Sequence, residues 1–213
     1  MKKKTIFFIL LVVFGAAGYA ISASTATSEQ LASKFTNEQL VEIGKNIYQT
    51  PGAQTCQKCH TEKGEGGGWE FAADLRKPYT WNSFKGFGGY EALKKDPVAL
   101  RKKMETLLEH LISVGSLKHN MLFATAHPEV AAEFDWTKTP NRLGGQFDMM
   151  MWGVAQPEMK KKVKEVHEKI VKPIVADMTE AEMTVLAPHA TLAYVKTFEE
   201  ANAEDASLPK VWS

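Results

Sequence analysis

Cysteine is scarce in this chain. Cys56 and Cys59 are the only two among 213 residues, and they lie three positions apart, so no disulfide framework can staple the fold. A closed structural zinc site normally takes a second ligand pair, which other cysteines cannot supply here. A thioredoxin-like redox pair should close a strand and open a helix within a βαβ pattern, and no such strand is evident. Charge of one sign is missing too. The formal net charge is +1, or −2 without the three lysines near the N-terminus, which speaks against nucleic acid or another polyanion as a partner. There is no internal repeat, and no convincing period-two alternation. The expected fold class is therefore all-α.

What is present begins with the N-terminus. Lys2, Lys3 and Lys4 precede an uncharged apolar run from Ile6 to Ile21, followed by the small residues Ser22-Ala23-Ser24-Thr25-Ala26. Basic, then apolar, then small is the order of a secretory signal. Cleavage after Ala20, Ala23 or Ala26 is expected, and the location is then periplasmic. The alternative is an anchor retained at residues 5–22, the one route by which the chain would contact a membrane. About 190 residues remain, enough for one domain with a sizeable core. With 44% hydrophobic residues they should fold rather than stay disordered. The expected organisation is a signal over residues 1–23, a linker over 24–34, one domain over 35–200 and an acidic, frayed tail over 201–213.

Residues 36–50 read as a helix. Thr36 and Gln39 form a capping box, Phe35 can staple onto Leu40, and Leu40, Gly44, Ile47 and Tyr48 recur at helical spacing. Pro51-Gly52 ends it. Residues 61–90 carry Trp69, Phe71, Tyr79, Trp81, Phe84, Phe87 and Tyr90 among glycines, which predicts a long ordered loop whose rings either cover an apolar ligand or fill a core. Asp96-Pro97 opens a helix with an inward stripe of Leu100, Met104, Leu107, Leu108 and Leu111, and Gly115 stops it. A shorter helix begins at Pro128, with His127 at its cap position. Another runs from Pro157 to Pro173, with Met159, Val163, Val166 and Ile170 inward. Its lysines, Lys160, Lys161, Lys162, Lys164 and Lys169, point largely outward as a solvated face, and His167 falls on a charged face. The last helix has a capping box from Thr179 to Glu182 and a staple from Met178 to Met183, and Pro188 should kink or divide it. Beyond Pro188, Leu192, Val195 and Phe198 continue a face, with Tyr194 beside it.

The chemistry is concentrated in Cys56-Gln57-Lys58-Cys59-His60. Two thiols three residues apart on a helical turn project to the same side, as two thioether bonds to one haem edge require. A histidine directly after them lies beneath the iron, and neutral imidazole suits iron. The spacing therefore predicts one covalent haem c on Cys56 and Cys59 with His60 as proximal ligand.

The chain resembles class I cytochromes c. In that family a helix with a glycine and an aromatic residue precedes the haem motif, as Gly44 and Tyr48 do here, and crosses a C-terminal helix bearing an aromatic, as in Leu192-Ala193-Tyr194-Val195. The resemblance covers residues 36–65 and 179–200. It leaves about 110 residues between them as an enlarged insertion of loop and helix. It implies a cytochrome c-like helical domain around one haem, and a one-electron carrier with His/Met ligation serving a redox partner protein. Two departures stand out. The family's Met-Pro dipeptide is absent, and the last helix is long and contains Pro188. A distal methionine is expected from Asp148-Met149-Met150-Met151-Trp152, which lies between Gly144-Gly145 and Gly153 and precedes the final helix. Met151 is inward whether the run is helical or extended, so it is the expected ligand, with Met150 as alternate and His119 or Met121 after them. Two other functions stay open: a haem-bearing subunit of a periplasmic oxidoreductase, or a ligand-binding haem protein with an open distal position.

Overall fold

A computed structural model describes residues 26–50, 55–68, 72–115, 119–138, 153–154 and 157–213. Among them the structure is all-α, with no strand. The expected signal segment lies outside the described residues. No described helix is long and apolar enough to cross a membrane.

The first helix, α1 (Ser28–Ala32), occupies the stretch expected to be linker. Thr27 and Gln30 close a capping box around it, and Leu31 and Ala32 are buried. A short turn with one apolar face folds when that face has a core to enter, whatever its length suggests in isolation. α2 (Asn37–Tyr48) starts at the Thr36–Gln39 capping box and buries Leu40, Ile43, Gly44, Ile47 and Tyr48. α3 (Cys56–His60) is the motif helix.

The expected long loop is shorter than its composition suggests. A 3₁₀ turn over Pro78–Thr80, α4 (Asn82–Gly86) and α5 (Gly89–Lys95) occupy its second half. Their aromatics account for the difference. Phe84 packs edge-on to Tyr90 at 5.0 Å, and Phe87 on Phe134 at 4.9 Å, so ring burial supplies order that periodicity does not signal.

α6 (Pro97–Val114) follows the sequence reading closely. Asp96 caps it by accepting from Ala99 N–H at 3.0 Å, and the predicted stripe is the buried set. α7 (His119–Ala126) lies where no element was expected, and α8 (Pro128–Ala132) begins at the expected proline. His127 occupies its N-cap position, although its side chain makes no capping bond.

α9 (Pro157–Val166) passes into a π-helical turn over His167–Val171. That wider turn advances the register by one residue. The fully buried position is Val171 rather than Ile170, and His167 is turned inward to 1% exposure, correcting the reading that put it on a charged face. Its Nε2 lies 2.7 Å from Met178 O. α10 (Glu180–Lys196) keeps the Thr179–Glu182 capping box and runs through Pro188 without division.

α2 and α10 form the spine, crossing one another directly, with α1, α6 and α9 also packed on α10. Two cores share this spine. An aliphatic core takes Leu31, Ile43, Ile47, Val163, Met183 and Leu186 from α1, α2, α9 and the first half of α10, with Met178 from the turn before α10. An aromatic-rich core takes Trp81, Phe84, Phe87, Phe123 and Phe134 with Met104 and Leu107, closed by Tyr48 and Tyr194.

The residues after α10 are docked, correcting the expected frayed tail. Glu199 accepts from Val211 N–H at 2.5 Å and Trp212 N–H at 2.9 Å. Arg101 Nε donates to Val211 O at 2.6 Å, and Val211 is fully buried. The acidic composition read as disorder because the sequence does not show that one carboxylate, Glu199, binds the returning backbone.

Candidate functional site

The motif helix is placed by its two neighbours. At the crossing of α2 with α10, a Cβ built on Gly44 would stand 1.9 Å from Ala190 O. Only a residue without a side chain lets these backbones touch. One turn further along each helix, Tyr48 meets Tyr194 at 5.3 Å and Phe198 at 5.4 Å. The Tyr48 hydroxyl then donates to Thr61 O at 2.7 Å, so the crossing fixes the chain immediately after His60.

Thr61 adopts φ 61°, a backbone conformation that a β-branched residue takes at a cost. It reverses the chain beneath the motif. Gly66 N–H donates to His60 O at 3.2 Å and Gly68 N–H to Cys59 O at 3.0 Å. A Cβ on Gly68 would stand 2.3 Å from Lys58 O, so this glycine is required by close approach. The loop satisfies the carbonyls that a five-residue helix leaves open at its end.

His60 is buried at 9% exposure, and its Nδ1 lies 2.8 Å from Ala73 O. A carbonyl can only accept, so Nδ1 carries the proton and Nε2 keeps its lone pair. Burial holds His60 below the usual histidine range, against the opposing effect of the Ala73 hydrogen bond. Burial thus favours the neutral ring, and the hydrogen bond of Nδ1 to Ala73 O fixes its orientation, as a histidine that ligates through Nε2 requires.

Burial also pushes the Cys56 thiol up to about 11, and raises that of Cys59 despite the nearby Lys58. Both sulfurs are unpaired thiols. A redox dithiol needs the reverse, a depressed thiol at a helix start or beside a cation. No group of three or more His, Cys, Asp or Glu side chains among the described residues converges to hold a metal ion. The donor set, two thiols and an imidazole on one short helix, suits a group attached through two sulfurs and ligated by one imidazole, and Cys56 packs against the aromatic core. Should haem occupy the site, these three residues would hold it.

Other sequence candidates fall as follows. The Met149–Met151 run lies outside the described residues, as do the side chains of His119 and Met121. Met159, Met178 and Met183 are buried in the aliphatic core, whereas Met104 is fully buried in the aromatic one. His189 pairs with Glu109 at 2.8 Å, and His110 and His127 stack edge-to-face at 5.7 Å. The partner that sequence reasoning missed is Ala73. Its part is played by a backbone carbonyl, which no residue type announces. No protein-family model matches this chain, and no curated protein or solved structure does either.

Proposed function

We propose that the chain is an exported one-electron carrier with a single c-type haem attached through Cys56 and Cys59 and ligated by His60. The observation that carries this reading is His60 itself: a buried imidazole with Nδ1–H committed to Ala73 O, directly after two half-buried free thiols. When bound, haem supplies one-electron chemistry at iron. The protein contributes ligand identity, ligand orientation and a dry environment. The rings of the aromatic core supply the last of these. The reading includes a distal methionine, Met151 with Met150 as alternate, and a redox partner protein in the periplasm.

Expression in a host competent for cytochrome c maturation tests the attachment. Acid–organic extraction should leave the haem on the chain, and Cys56→Ser/Cys59→Ser should release all of it. Free haem from the unsubstituted protein would overturn the proposal. Carbon monoxide separates the functional alternatives. A reduced protein that binds it readily has an open distal position, as a ligand-binding protein or catalytic subunit would, whereas a His/Met carrier resists it.

A further inference from the structure

A backbone carbonyl orients a histidine only as firmly as its own peptide is held. Ala73 sits in an irregular segment, so what fixes it matters. Three tethers lie downstream of it. Leu75 N–H donates to Gly64 O at 2.7 Å, Arg76 binds the Asp74 carboxylate through two nitrogens at 2.9 Å, and Glu200 N–H donates to Arg76 O at 2.9 Å. The fourth acts on the very next carbonyl. Trp81 Nε1–H donates to Asp74 O at 2.9 Å. The peptide planes bearing Ala73 O and Asp74 O meet at the Asp74 Cα, so only two soft torsions separate them. Fixing the second plane from a rigid support restrains the first.

Trp81 is such a support. It is buried in the aromatic core, precedes α4, and accepts from Lys85 N–H at 3.1 Å through its own carbonyl. Its ring lies 6.3 Å from that of Trp212, in the docked tail. Packing alone would call for a large ring here. The indole N–H adds a directed contact to the segment whose carbonyl holds the His60 ring.

We infer that Trp81 is a positioning residue for His60: its indole N–H fixes Asp74 O, and thereby the adjacent Ala73 O that accepts from His60 Nδ1–H. The inference rests on the haem reading for its purpose, although its geometry is independent of haem. A histidine that donates Nδ1–H to an acceptor is a more basic ligand. Loss of the Trp81 tether therefore weakens the Ala73 bond, makes Nε2 a poorer donor to oxidised iron, and raises the reduction potential.

The test compares the matured full chain with three variants. Trp81→Phe removes the N–H. Benzothienylalanine at position 81 replaces only N–H by sulfur and keeps the shape of the ring, which guards against a folding failure of the phenylalanine variant. Trp212→Phe removes the neighbouring tilted indole but leaves the tether. Exchange of the His60 Nδ1 proton, read by ¹⁵N-edited NMR, should quicken about two- to tenfold in both position-81 variants, the range one hydrogen bond spans, and stay unchanged in Trp212→Phe. The potential should rise in the same two variants alone. Unchanged exchange in the benzothienylalanine protein, or an equal change in Trp212→Phe, would overturn the inference. If extraction releases all haem from the unsubstituted chain, the electron-carrier reading fails, and proton exchange in that same chain still decides the role of Trp81.

Discussion

At Gly44 the nearest obstruction to a side chain is a backbone oxygen. The Ala190 carbonyl would stand 1.9 Å from a new Cβ, and it cannot turn aside as a flexible side chain would. Gly44→Ala should therefore lower stability despite the better helix propensity of alanine. Overpacking costs about 1–3 kcal/mol, and Gly44→Leu should cost at least as much. Thermal unfolding measures both, and an unchanged midpoint for Gly44→Leu would mean the helices do not meet there. A second residue-scale effect concerns pH. Burial pushes Glu109 up, but hydrogen bonds and charge from His189, with Ser28 and Lys196, more than offset this and hold its carboxyl below the usual range. A depressed folded value stabilises the fold above the unfolded value, near pH 4.5, and that stability is lost as pH falls through the folded value. Glu109→Gln should thus lower stability at pH 7 and flatten the acid limb of the stability curve below pH 4.5, as urea unfolding across pH 2–7 would record. Residues of this kind differ in how openly the sequence declares them. Cys56, Cys59, His60 and Gly44 are legible from type and spacing. Ala73 and the Glu109–His189 pair, 80 positions apart, are set only by the tertiary fold.

Among elements, legibility follows the source of order. α2 and α6 carry caps and a regular apolar stripe, and α10, buried on most sides, is announced by its capping box and staple, so the sequence finds all three almost to the residue. α4, α5 and α7 are short and held by aromatic contacts, and a period count has too few turns to register. The π-turn at His167–Val171 defeats the same count differently, since a helix that adds a residue per turn moves every later side chain to a new face. Pro188 does not divide α10. Its missing N–H costs a bond in an isolated helix, but it is buried within the most heavily packed helix, which runs on regardless. The docked tail depends on Glu199, whose carboxylate takes two backbone N–H groups at once. Hydrogen bonds to a charged acceptor are worth about 1.5–3 kcal/mol each. Glu199→Ala should free residues 200–213, giving rapid proteolysis after Lys210 while the remainder stays protected. Equal cleavage rates in the two proteins would show that the tail is held by Trp212 and Val211 instead.

On the scale of the whole molecule, two unlike cores share one spine. Cys56 of the motif packs on the aromatic one, and Met159, Met178 and Met183 belong to the aliphatic one. The division supports setting those three aside as distal ligands, as the sequence reading did for reasons of local helix structure. It also gives Met104 a new standing: assigned from sequence to an apolar stripe, it is fully buried in the same core that receives Cys56. The Met149–Met151 run lies outside the described residues; of those that follow it, Val154 N–H donates to Ile112 O at 2.8 Å and Gly153 packs against the carbonyl of Ser113, at the C-terminal end of α6. The proposed ligand remains Met151, and leucine substitution separates it from its rivals because leucine keeps the volume and removes the sulfur. Met151→Leu should abolish the methionine–iron absorption band of the oxidised protein and open the reduced protein to carbon monoxide. Met150→Leu and Met104→Leu should keep the band, the latter lowering stability by less than about 1.5 kcal/mol as a volume-conserving core swap. Loss of the band in Met104→Leu alone would move the ligand to α6 and make the aromatic core itself the distal wall. Persistence of the band in all three would exclude them together and pass the role to Met121. An unsubstituted protein with no such band would instead direct the search to a histidine, with His119 tested first.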